Sequence, residues 1–266
     1  MSGIKLLKFI MYKLYNRRRA DENLSAIANS LPPIVSVDTS YGEINFYCLG
    51  VMPTYRAYTL LTKEPETIAW INSFNKKDIF WDIGANVGVY SLYAAKRGIN
   101  VTAFEPSPVN YYLLNKNIEI NDISSHVKAF CLALSDSNSM DVLHMKNTIP
   151  GGNGSSFSSN IDSCGKQFSA FFEQGMIGMS ADEIVEKYNI KFPNHIKIDV
   201  DGIEEMIISG MDETLKDSRL LSVSIEMDPL RPEYFQRMIN KIQSYDFYRN
   251  PELNKQQVVF YRKKSL

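Results

Sequence analysis

Apolar and polar positions divide the chain into stretches of different period. Residues 1–30 carry apolar side chains near helical spacing (Ile4, Leu7, Ile10, Met11, Leu14), and Pro32 and Pro33 in "SLPPIV" cannot continue a helix. Residues 34–62 alternate ("IVSVD", "INFYCL", "YTLLT") around a turn at Tyr41-Gly42-Glu43, which predicts a small antiparallel β element. From residue 64 amphipathic segments alternate with short buried runs. "PETIAWINSF", "GVYSLYAAKRG" and "PVNYYLLNKNIEIN" read as helices, the last opened by Ser107 as N-cap and Pro108 at the first helical position. "DIFWDI", "NVTAF" and "VKAFCLAL" read as strands between them. Farther on come the helix "SADEIVEKYN", the strand "HIKIDV", the helix "IEEMIISGM", the strand "LLSVSIEM", the helix "RPEYFQRMINKIQSY" and the strand "QQVVFYR". Such alternation predicts an α/β domain over residues 64–266, with a mainly parallel twisted sheet flanked by helices, after a helical and β extension over residues 1–63. Residues 147–169, rich in Gly, Ser and Asn and without apolar periodicity, read as a structureless loop and a candidate substrate loop or lid.

Composition narrows the function classes. With 266 residues and 44% hydrophobic side chains, the chain can bury a substantial core without staples. A formal charge of −1, from 29 basic and 30 acidic residues, gives no global reason to expect nucleic acid as a partner. Cys48, Cys131 and Cys164 are widely spaced and form no C-x-x-C, so they indicate neither a disulfide framework nor zinc, and a cytoplasmic setting fits them best. His126, His144 and His195 lack metal-ligand spacing and read as surface or satisfied structural histidines, so no metal site is expected. The N-terminal "IKLLKFIMYKLYNRRR" is interrupted by lysines and falls short of the roughly 20 apolar residues of a membrane span. Two readings fit residues 1–19: a helix docked on the domain, or an interfacial helix giving peripheral contact with anionic lipid at the inner membrane face.

The chemistry concentrates at strand ends, where open α/β sheets bind ligands. Asp82, Glu105, Asp199 and Glu226 all sit at such ends. A dinucleotide site wants G-x-G-x-x-G after the first strand, but Gly84 is followed by Asn86 and Val89 where the second and third glycines belong. No Gly-Lys-Ser/Thr follows the turn, so it is not a P-loop either, and Asp82 would face a diphosphate with like charge. The spacing Asp82, Gly84, Asn86, Gly88 suits a cationic ligand better. S-adenosylmethionine carries an ammonium and a sulfonium and no phosphate, and Glu105 on the next strand can accept hydrogen bonds from ribose hydroxyls.

These stretches together carry a resemblance. "FWDIGANVGVYS", "VTAFEPSPVNYYLLNKNIEIN", "LALSDSNS" and above all "HIKIDVDGIEEMIISGM" (195–211) resemble the FkbM family of class I S-adenosylmethionine-dependent methyltransferases, with Asp201 where the family block K-I-D-V-E-G-x-E carries glutamate. The resemblance covers roughly residues 64–228 and implies a Rossmann-like fold. It puts Asp82, Gly84, Asn86 and Gly88 around the methionine part of the cofactor, Glu105 at its ribose and Asp136 near its adenine edge. Asp199 would face the methyl group, as general base with Glu226 as the alternative, and Asp201 and Glu204 would line the acceptor side. It also implies O-methylation of a hydroxyl on a sugar, glycan or secondary metabolite. Two other readings compete: a non-catalytic binding or scaffold protein on the same fold, and a nicotinamide-dependent oxidoreductase. Trp81 is expected to pack beside the first strand, and Tyr111 and Tyr112 to be partly core.

Overall fold

The computed structural model describes residues 3–250 and 257–263. Helices α1 (Gly3–Leu14) and α2 (Arg17–Ser30) pack on each other as a hairpin, joined by the Tyr12 hydroxyl donating to Asp21. Strands β1 (Ile34–Thr39) and β2 (Gly42–Tyr47) then pair antiparallel as expected, with Gly42 taking the turn's positive φ of 102°. The expected strand at "YTLLT" does not form. Residues 51–60 instead contain helix α3 (Val51–Tyr58), because the side chains that become buried, Pro53, Ala57 and Leu60, recur at helical rather than alternate spacing.

After α4 (Pro65–Asn72) the chain runs through β3 (Ile79–Ile83), α5 (Val89–Lys96), β4 (Asn100–Phe104), α6 (Pro108–Ile120) and β5 (Val127–Phe130). Next come β6 (Ala133–Leu134), β7 (Ser139–Met145), β8 (Ser155–Phe157), β9 (Phe172–Met179) and α7 (Ala181–Lys187). The C-terminal part holds β10 (His195–Ile198), α8 (Glu204–Ser209), α9 (Asp212–Lys216), β11 (Ser222–Glu226), α10 (Pro232–Gln243), β12 (Phe247–Arg249) and β13 (Gln257–Arg262). Seven strands form one sheet in the order β12-β13-β11-β10-β3-β4-β5, parallel except for β13, which runs antiparallel to both neighbours. Strand order reverses between the neighbours β3 and β10, so their carboxyl ends open a crevice at the topological switch point.

A second sheet, in the order β6-β9-β7-β8, corrects two sequence expectations. "VKAFCLAL" is not one strand: it leaves the large sheet after Phe130 and enters the small one at Ala133. Residues 147–169 are not structureless, since β8 pairs with β7 through Leu143↔Phe157 and Met145↔Ser155, and Ile161 bridges Gln167. Composition hid this strand because one apolar residue anchors it. Phe157 is buried against Gly178, where a Cβ would overlap its ring. The helix expected at "IEEMIISGM" forms as α8 and stops at Gly210, whose missing Cβ makes room for the Ser135 carbonyl.

Both faces of the large sheet are covered. One carries β1, β2 and α3 to α6, around Phe46, Trp70, Phe80 and Leu113, and the other carries the small sheet and α7 to α10, around Trp81, Phe104 and Ile225. Trp81 packs in the core as expected, its indole donating to the Lys191 carbonyl at 3.1 Å. Residues 34–60 thus share a core with the sheet, and from α6 and its cap Asn117 accepts from Tyr47 N of β2 while Asn121 accepts from Asn45 N and donates to the Asn45 carbonyl.

At the amino ends of the strands, a buried polar network fastens the sheet to α4. His195 Nε2 meets Asp78 Oδ2 at 3.0 Å and Nδ1 meets the Ser222 hydroxyl at 2.7 Å, while Trp70 Nε1 donates to that hydroxyl at 2.8 Å. Phe74 stacks on the imidazole at 3.7 Å between centroids. Burial lowers the His195 pKa from 6.5 to about 4, against the pull of Asp78, so the ring is neutral and structural. A folded-state pKa below the unfolded value gives stability that is complete above pH 6.5 and is lost as pH falls towards 4. His195→Ala should therefore lower the urea midpoint, by about 2–4 kcal/mol of stability near neutral pH. Its stability deficit should shrink on acidification between those two values; a deficit independent of pH would contradict the neutral, buried assignment.

Candidate functional site

The buried run of β3 ends on Asp82 and Ile83, and the chain then turns at Gly84 with φ +80°. A Cβ on Gly84 would overlap the Asp199 carbonyl oxygen, so glycine is needed here to let β3 and β10 lie side by side at the crevice floor. The Gly84 and Ala85 amides donate to the Phe104 carbonyl at 2.9 and 3.1 Å, which aims the next residues across the end of β4. Asn86 follows in the left-handed region at φ 52°. Gly88 is not itself among the cleft-lining residues; it caps α5, and a side chain there would strike Leu92 and Leu114. Its missing Cβ lets α5 pack closely against α6.

Charges gather on the floor. Lys197, 1% exposed in the middle of β10, is ion-paired with Asp199 and sits 4.8 Å over the Tyr90 ring. Burial opposes its charge, yet Asp199, Glu64 and Asp82 hold it protonated and raise its pKa above the ordinary lysine value. Asp82 accepts from the Ser91 hydroxyl at 2.6 Å, and burial raises its pKa. Burial also works against the Asp199 carboxylate, but the Lys197 ammonium overrides it and holds the group ionised. Glu226, on β11, goes the other way: burial and the Asp199 charge push its pKa well up, so at neutral pH it keeps its proton and donates to Asp199.

Glu105 closes β4 with both carboxylate oxygens engaged. Asn86 N donates to Oε2 at 2.8 Å and Ser107 N to Oε1 at 2.9 Å, while burial raises its pKa to about 7. Ser107 precedes Pro108 in extended conformation as expected, but its buried hydroxyl finds no partner and caps nothing. Above Glu105 the segment around Gly151 to Ser155 is pinned over the cleft. Asn86 and Asn110 donate to the Gly152 carbonyl, Asn110 accepts from Gly151 N, and Arg56 Nε donates to the Gly151 carbonyl at 2.8 Å. Asp201 accepts from Gly154 N at 2.6 Å and Ser155 N at 3.3 Å. The lid expectation for 147–169 thus meets a segment tied down by named side chains.

Three clefts adjoin. One of about 430 Å³ is lined by Arg56, Lys63, Asp82, Tyr90, Lys197 and Asp199, and one of about 660 Å³ by Glu105, Asn110, Gly152, Asp201 and Glu226. Gly84, Asn86, Asp199, Arg56 and Lys63 belong to both. A third, of about 560 Å³, shares Glu226 and is walled by Glu204 and Tyr234, whose hydroxyl donates to the Glu204 carboxylate at 3.0 Å. Glu204 also accepts from Gly202 N, and burial raises its pKa to about 7.

The sequence-predicted residues Asp82, Gly84, Asn86, Glu105, Asp199, Asp201, Glu204 and Glu226 thus converge on one edge of the sheet. Asp136 does not join them: it is exposed, bonded to the Ser135 and Ser137 hydroxyls, and absent from the cleft walls. Cys131, just beyond β5, lies nearer Glu105, whose charge helps burial raise the thiol pKa. Sequence reasoning missed Arg56, Lys63, Tyr90, Asn110 and Lys197. Of these, Lys197 had a signal, a single cation inside the apolar run of "HIKIDV". Among the described residues, no group of three His, Cys, Asp or Glu side chains is arranged to hold a metal ion.

Comparison with known proteins agrees with this architecture. The chain is 29% identical over 154 residues to methyltransferase sdnD of Sordaria araneosa, spanning 50% of this chain and 60% of that one. It is 27% identical over 202 residues to the hexuronic acid methyltransferase AglP of Haloferax volcanii, spanning 74% and 77%. A crystal structure of methyltransferase FkbM from Methylobacillus flagellatus shares the fold with a TM-score of 0.50 at 15% identity, over 79% of this chain and 53% of that one. The chain therefore spans less than two thirds of sdnD and of that solved structure. The methyltransferase FkbM domain matches residues 82–248, more than half of the sequence, and the chain belongs to that family of Rossmann-like methyltransferases.

Proposed function

We propose that this protein is an S-adenosylmethionine-dependent O-methyltransferase acting on a hydroxyl of a sugar, glycan or small metabolite. The observation that carries the reading is the juxtaposition, at the switch point, of the Gly84 turn and Glu105 with the Lys197, Asp199 and Glu226 cluster. Gly84 and Asn86 supply a close backbone wall, and Glu105, held by the Asn86 and Ser107 amides, retains acceptor capacity for ribose hydroxyls. Asn86 and Val89 stand where a pyrophosphate site needs its second and third glycines, which disfavours a nicotinamide dinucleotide. The intact strand-end acids favour an enzyme over a scaffold. One relative is named a hexuronic acid methyltransferase, which supports a sugar acceptor.

When bound, the cofactor supplies an electrophilic methyl group on a sulfonium that leaves as a neutral thioether. The chain's own task is to align the acceptor, exclude water and take the hydroxyl proton. Asp199 is the ionised member of the carboxyl pair, so it takes that proton at neutral pH, while Glu226 holds its orientation from the acceptor side. Glu204, hydrogen-bonded to Tyr234, and Asp201, fixed on the Gly154 loop, shape the acceptor side.

The N-terminal hairpin supports a peripheral contact with an anionic membrane surface. Ile4, Phe9 and Leu14 of α1 are exposed, and residues 1–19 hold Lys5, Lys8, Lys13, Arg17, Arg18 and Arg19 with no acidic residue. Among the described residues no helix is long and apolar enough to cross a membrane.

Three measurements test these readings. Calorimetric titration with S-adenosylhomocysteine should give saturable heat and NAD none; binding of NAD alone would sink the methyltransferase assignment. Asp199→Asn should keep cofactor affinity and lose about 10²–10⁴ in turnover, whereas Glu226→Gln, which still donates to Asp199, should keep most neutral-pH turnover. In the wild type the rate should change as alkaline pH ionises Glu226, and the Gln variant should not follow it; full turnover in Asp199→Asn removes that residue from the chemistry. Finally, wild-type protein should sediment with vesicles containing phosphatidylglycerol and a form lacking residues 1–19 should not, equal sedimentation arguing against the hairpin as the contact.

A further inference from the structure

The wall facing the Gly84 turn comes from outside the matched family domain. Arg56, on α3, and Lys63, in the connection to α4, line the same two clefts as Gly84, Asn86 and Asp199, yet both precede residue 82, where the family match begins. Their donors are largely uncommitted. The Arg56 guanidinium uses Nε on the Gly151 carbonyl, and its Nη1 and Nη2 make no hydrogen bond among the described residues. Lys63 Nζ bonds Glu64 Oε1 at 3.1 Å, with its side chain 46% exposed. The same cleft holds Asp82 and Asp199 at the strand ends, beside Lys197.

This cleft therefore carries two cations from α3 and the loop after it together with carboxylates from the strand ends. A diphosphate would meet the acids, and a simple cation would meet Arg56 and Lys63. An amino-acid zwitterion satisfies both sides: its carboxylate matches a guanidinium fork and an ammonium, and its own ammonium matches the strand-end acids. We infer that Arg56 and Lys63 bind the α-carboxylate of the methionine end of S-adenosylmethionine, so that the region preceding the family domain completes the cofactor site. The inference rests on the cofactor reading above. Because Arg56 Nε also holds Gly151, one guanidinium links that carboxylate to the segment pinned over the cleft.

The test compares two ligands that differ only in the carboxylate. Affinities of S-adenosylmethionine and its decarboxylated form are measured by calorimetry for wild type, Arg56→Met and Lys63→Met. Charge-assisted hydrogen bonds of this kind predict that wild type prefers the intact cofactor by about 10- to 100-fold. Each variant should lose much of that preference by weakening the intact cofactor while leaving the decarboxylated form nearly unchanged, which also reports that the site is folded. Should Arg56→Met fail to fold, Lys63→Met, at an exposed side chain, carries the comparison. Equal wild-type affinity for the two ligands, or variants that weaken both alike, overturns the carboxylate subsite while leaving the cofactor reading standing. Wild type that binds neither ligand overturns the cofactor reading itself, and the subsite with it.

Discussion

A lysine in the middle of a parallel sheet is costly to bury, and Lys197 is tolerated because carboxylates surround it. Removing an ammonium from water costs several kcal/mol after relaxation, so such an ion persists inside a protein only when paired and hydrogen-bonded. The reverse dependence holds as well: Asp82 is 1% exposed and Glu64 9% exposed, and with Asp199 they bring several acids to one place. Lys197 makes that crowding bearable by lowering the proton affinity of Asp199, and Asp199 in turn keeps the proton on Glu226. The protonation pattern across the strand ends thus descends from one buried cation. This cation also sets the base strength of the pair, since an aspartate held low is a modest proton acceptor whose value lies in its position.

Much of the large sheet was legible because most of its strands are buried on both faces and read as short, mainly apolar runs ending near an acid or a glycine. Gly84 and Gly88 show where such reading stops. Both are glycines with positive φ in one turn, but one clears a neighbouring strand's carbonyl and the other clears two leucines. Asp199 lies 115 residues beyond Gly84, and Leu114 lies 26 beyond Gly88, so no local pattern reveals those contacts. Asp136 was drawn in by its motif, yet the chain crosses to the second sheet between Phe130 and Ala133 and carries it away from the cleft. Strands β7 to β9 escaped notice because they interleave charged, glycine and serine residues and rely on a few buried anchors such as Leu143 and Phe157.

Arg56 and Lys63 illustrate a different limit. Each is an ordinary half-exposed or exposed cation in sequence terms, with no motif around it. Their importance arises from the packing of residues 34–60 onto the sheet, where Phe46, Ala57 and Leu60 enter the same core as Phe80 and Leu92. What reads as an appendage in the hydrophobic pattern becomes, once folded, a side of the cleft. The segment 151–155 depends on the same packing, being held from α3 by Arg56 as well as from the sheet by Asn86, Asn110 and Asp201.

Glu105 is fixed before any ligand arrives. A free glutamate on a surface samples many rotamers, and freezing such a side chain during association costs about 0.5–1.5 kcal/mol. Here two backbone amides, from Asn86 and Ser107, already hold the carboxylate, so its conformational entropy is lost when the chain folds and not when a diol docks. The acceptor lone pairs that remain point from a rigid group, and a partner of the wrong shape finds no room for it to adjust.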